Sequence, residues 1–82
     1  MGGHRIVRTA ETLLPAHRQM LQLAANGATD QHIAHTIGVP LHTVRDQWRY
    51  QIRPALGAID RTHAIALAVA AGLAHPVRKE AA

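Results

Sequence analysis

Apolar positions recur at helical spacing in four stretches of this chain, and each stretch is bounded by residues that start or stop helices. Leu13, Ala16, Met20, Leu21, Leu23 and Ala24 form the first stripe, with the three- and four-residue steps of one helix face. Pro15 suits the first turn, where the amide hydrogen it lacks would have no partner. Asn26-Gly27 closes the helix with residues that accept a left-handed cap. A second stripe, Ile33, Ala34 and Ile37, follows Thr29 and Asp30, either of which is a good N-cap. Gly38 then permits the positive φ of a sharp helix–helix turn.

A third helix is predicted over residues 40–53. Leu41, Val44, Trp48 and Ile52 share one face, and His42, Arg45, Asp46, Arg49 and Arg53 share another, roughly 100° around the axis. Pro54 is expected to end this helix by clashing with the preceding turn. Gly57 and Asp60 fall in a loop, and a fourth helix runs from Arg61 or Thr62 to Ala71, capped at Gly72. Its stretch from Ala64 to Ala71 is apolar around the whole circumference, which implies burial on more than one side. A second copy of the chain is the expected partner, giving a homodimer with Ala64, Leu67, Ala68 and Ala71 at its interface.

These elements make residues 13–74 one all-α, four-helix domain. Residues 1–12 carry His4, Arg5 and Arg8 with only Ile6 and Val7 as apolar anchors. They read as a basic arm that either frays or enters a minor groove. Residues 75–82 read as a flexible tail.

Composition narrows the chemistry. The chain has 82 residues, no Phe, one Trp and one Tyr, so its core must be built from Leu, Ile, Val and Ala, which suits packed helices. It has no Cys, which excludes disulfides and thiolate metal sites. His32 and His35 lie three apart, but zinc needs three or four ligands and nothing nearby supplies the rest; no metal or cofactor is expected. There is no glycine-rich phosphate loop, nucleophile elbow or catalytic carboxylate pair, so no enzyme is expected. The longest apolar run, Ala64 to Ala74, has eleven residues against about twenty for a bilayer. No targeting signal is recognisable, and a cytoplasmic protein is expected. The net charge of +4 favours an anionic partner.

The helix, glycine turn and arginine-bearing helix of residues 30–53 are the layout that places a rod in the DNA major groove. Arg45 and Arg49, one turn apart, are expected to contact bases, since arginine donates two parallel hydrogen bonds to guanine. Asp46 would be repelled by phosphate; it reads as an acceptor for cytosine N4 or as a brace for Arg49 or Arg45. His42, Thr43, Gln47 and Arg53 suit phosphates, and Thr29, Asp30 and Gln31 begin a helix whose amides can meet another phosphate. Trp48 belongs to the core. Tyr50 either touches the DNA backbone or packs on the first helix.

The assembled pattern resembles the LuxR/GerE-type DNA-binding domain. The resemblance rests on Leu13-x-Pro15, Met20-Leu21-x-Leu23-Ala24-x-x-Gly27, Ile33-Ala34-x-x-Ile37-Gly38-Val39, Thr43-Val44-Arg45, Leu56-Gly57 and Arg61-Thr62-x-Ala64. It covers Leu13 to Leu73 and implies a helix-turn-helix transcription regulator, dimeric through its fourth helix, with the third helix in the major groove of double-stranded DNA. His17 and His32 stand where the family has acidic residues, and Leu14 replaces a Thr or Ser cap. Pro54 and one extra residue separate the third helix from Leu56-Gly57, where the family continues the helix. Two other readings share these residues. One is a small protein-interaction module that binds another regulator. The other is a domain similar to region 4 of sigma factors that binds RNA polymerase, a pattern that lacks the helix from Arg61 to Leu73.

Overall fold

The computed structural model describes residues 13–78; the basic arm of residues 1–12 and the end of the tail lie outside them. Among the described residues every regular element is helical. Helix α1 spans Pro15–Ala25 and α2 spans Asp30–Ile37. Helix α3 begins as Leu41–Gln47, passes through a π-helical turn at Trp48–Ile52 and continues as Arg53–Leu56. Helix α4 spans Arg61–Ala70. None of these helices is long and apolar enough to cross a membrane.

Pro54 does not stop α3, contrary to the expectation from sequence. The ladder widens just before it: the Arg53 N–H donates to the Trp48 carbonyl, five residues back. A proline in a regular helix collides with the carbonyl four residues earlier and deprives it of a donor. The π turn takes in one extra residue and shifts the carbonyls behind the ring. The helix ends instead at Gly57, whose φ of 70° is left-handed, with the Ala58 N–H closing onto the Arg53 carbonyl at 2.9 Å. The predicted boundary of 40–53 therefore becomes 41–56.

The starts of α1, α2 and α4 are satisfied in two ways. Thr29 Oγ1 accepts from the His32 N–H at 3.1 Å, and Asp60 Oδ1 accepts from the His63 N–H at 2.7 Å; both are side-chain caps. Leu14 offers no side-chain acceptor at the start of α1. There His17 acts instead: the Leu14 N–H donates to its Nδ1 at 3.2 Å, the reverse half of a capping box.

The core is built as composition requires. Met20, Leu21, Ile33, Val44 and Ile52 are fully buried, with Leu13, Trp48, Ala24, Ala34 and Ala55 around them. Ala64 and Ala68 of α4 are also fully buried within the single chain. They pack inward, so they are withdrawn as dimer contacts; their missing bulk is what lets α4 lie close to its neighbours. Leu67 is half-buried, and Thr62, Ala66, Val69, Ala70 and Ala71 form the outer side.

The start of the supposed free tail is anchored. Ala74 is buried, Gln22 exchanges two hydrogen bonds of 2.8 Å with the main chain of His75, and the Val77 N–H donates to Asn26 Oδ1 at 2.8 Å. Two amide side chains, Gln22 on α1 and Asn26 at its C-terminal cap, thus give residues 75–77 the main-chain partners that a strand would supply.

Candidate nucleic-acid interface

The turn between α2 and α3 is tight because two amides converge on one carbonyl. The N–H groups of Gly38 and Val39 both donate to Ala34, at 2.9 and 3.0 Å. Gly38 adopts φ 78°, where a side chain would be strained. Ile33 and Ala34 on α2 and Val44 and Trp48 on α3 fill the angle between the helices. The indole N–H of Trp48 donates to Asp30 Oδ1 at 3.0 Å, and the same oxygen accepts from Arg61 Nε at 2.9 Å. Arg61 also donates through Nη2 to the Ala28 carbonyl at 2.9 Å and lies over the Trp48 ring, 5.1 Å from its centre. One carboxylate and one guanidinium therefore tie α2, α3 and α4 together behind the outer face of α3.

That outer face carries His42, Arg45, Asp46, Arg49 and Tyr50, all exposed. The side chains of Arg45 and Asp46 form no hydrogen bond or ion pair with any described residue. The Arg49 guanidinium lies 5.4 Å from the centre of the Tyr50 ring. Tyr50 thus pairs with Arg49 on the outside instead of packing on α1. The three residues expected to meet bases stand together on one open surface. Thr29 and Gln31 are exposed at the first turn of α2.

Other expected contacts point elsewhere. The Asp30 carboxylate is committed to Trp48 and Arg61, while its main-chain amide, the group expected to meet a phosphate, stays at the first turn of α2. Gln47 is half-buried and bonded through Oε1 to Nε2 of His17, so its side chain joins α3 to α1. Thr43, also half-buried, borders a recess of about 210 Å³ shared with Leu14, His17, Met20, Ile37 and Val39. Arg53 turns back, donating through Nη2 to the Ile59 carbonyl at 2.6 Å, with its Nε buried. The π turn explains this last correction. In a regular helix Arg53 would lie about 40° from Arg49; one extra residue sets it back by about 100°. That carries it past Arg49 towards the Trp48 side and over the 57–60 loop.

Sequence reasoning missed two contributors. His17 is 5% exposed and bridges Leu14 and Gln47; its place three residues after the helix N-cap was the available signal. Arg61 was read only as a helix start, and nothing local in the sequence links it to Asp30. Among the described residues no group of three His, Asp or Glu is placed to hold a metal ion. Searches against family models, curated proteins and solved structures return no match to this chain.

Proposed function

We propose that this protein is a sequence-specific, double-stranded-DNA-binding transcription regulator of LuxR/GerE-like design that presents the outer face of α3 to the major groove. The observation that carries this reading is the pair Arg45 and Arg49, one turn apart on the open side of a helix that is braced from behind by α2. Both guanidinium groups point away from the core, and a bidentate arginine–guanine pair discriminates bases by about 1–3 kcal/mol. His42 at the start of α3 and Thr29 and Gln31 at the start of α2 suit the flanking phosphates, which position the helix without reading sequence. Dimerisation belongs to the same proposal: Thr62, Ala66, Val69 and Ala70 replace Ala64 and Ala68 in the contact, and Leu67 and Ala71 stay in it.

The test is selection of bound sites from random duplexes, followed by titration of the selected duplex at several salt concentrations. A palindromic motif with affinity falling steeply as salt rises supports both DNA binding and the dimer, because phosphate contacts release counterions. Arg45→Ala and Arg49→Ala should each reduce selectivity about 5- to 150-fold at one position while leaving the helical content intact. A purified protein without salt-dependent affinity for any duplex overturns the proposal.

A further inference from the structure

We propose that Asp46 is a specificity-determining residue: it selects sites with a cytosine between the bases facing Arg45 and Arg49, and it lowers affinity for all other DNA. The inference rests on the reading of α3 as the groove-facing helix. Three acids lie among the described residues, Asp30, Asp46 and Asp60. Asp30 accepts from Trp48 and Arg61, and Asp60 caps α4. Asp46 has no such employment. Although Arg45 adjoins it and Arg49 follows three positions later, it pairs with neither of them in the structure. The brace considered from sequence is not formed, and an exposed carboxylate is left in the middle of the cationic face.

Such a group repels phosphate wherever it sits, so it reduces attraction to DNA of any sequence. On the groove floor it has one good match. Cytosine presents the N4 amino donor. Guanine presents N7 and O6 and thymine presents O4, all acceptors that a carboxylate opposes; adenine offers an amino donor beside the N7 acceptor. Asp46 therefore discriminates largely by penalising wrong bases, a specificity gained through repulsion. The spacing is compatible. Arg45 and Arg49 lie about 6 Å apart along the axis at the α-helical rise, close to two base steps of about 3.4 Å. The target class is a short G·C-rich step, with guanine under each arginine and cytosine between them.

The experiment is parallel site selection with wild type, Asp46→Ala and Asp46→Asn, together with binding to a scrambled duplex at low and moderate salt. Wild type should enrich a motif whose cytosine, when replaced, weakens binding about 5- to 150-fold. Both variants should lose preference at that position alone and bind the scrambled duplex several-fold more tightly. Retained cytosine preference in both variants, or weaker binding to the scrambled duplex, overturns the role of Asp46. A wild-type motif with no cytosine at the position between the two guanines also overturns it, yet leaves sequence-specific binding standing. Enrichment of no motif sinks this inference and the proposed function together.

Discussion

Replacing Asp30 with Ala tests whether the three-helix tie behind α3 holds the recognition surface in place. The substitution removes the acceptor of the buried Trp48 indole N–H and the anionic partner of Arg61. Leaving a buried donor unsatisfied costs about 1–3 kcal/mol. The ion pair adds little, roughly 0–1 kcal/mol, because the Arg61 side chain is 35% exposed and the Asp30 side chain 22%. The expected loss is thus about 1–4 kcal/mol, or a fall in Tm on the order of 4–8 °C for each kcal/mol in a domain of this size. Asp30→Asn keeps an acceptor oxygen for the indole and should cost about 1 kcal/mol or less, most of it the lost charge pairing. Thermal and urea unfolding of both variants, followed by far-ultraviolet circular dichroism and Trp48 fluorescence, measure the difference. Equal stabilities for Asp30→Ala and Asp30→Asn would refute the argument, since the indole bond would then contribute nothing.

Two further outcomes follow from α3 and α1. Pro54→Ala should stabilise the protein by less than about 1 kcal/mol in urea titration, against the roughly 3 kcal/mol separating proline from alanine in a regular helix interior, because the π turn already relieves the ring; a gain near the full value would show the ring to be strained. His17→Ala should cost about 2 kcal/mol by stripping partners from the Leu14 N–H and Gln47. His17→Gln, whose amide oxygen and nitrogen match the two ring nitrogens, should restore more than half, and an Ala-like value for Gln would reject the bridging role.

Helix count and most boundaries were legible because local signals agree with packing: Pro15 at a first turn, Thr29 as a cap, Gly38 as a left-handed end. What escaped was everything that depends on phase or on distant pairing. A fixed rotation per residue put Arg53 in line with Arg45 and Arg49, and the widened turn between them has no signature in hydropathy. In Ala64-Ile-Ala-Leu-Ala-Val-Ala-Ala71 the alternation of alanine with larger side chains cannot say which face turns inward, so Ala64 and Ala68 were assigned to the wrong side. Asp30 sits 31 positions from Arg61 and looked like a helix start alone; the tie is a tertiary fact. The free face of α3 was legible because charged residues there have no apolar competitors.

Placing the added residue inside α3, after its first two turns, has a mechanical result. The slip in phase is absorbed downstream of Arg45 and Asp46, so the leading half of the rod keeps the angle imposed by the Gly38 corner. The trailing half carries Arg53 round to grip its own following loop. The outward pair Arg45 and Arg49 and the loop-gripping Arg53 are thereby given separate stripes of one helix.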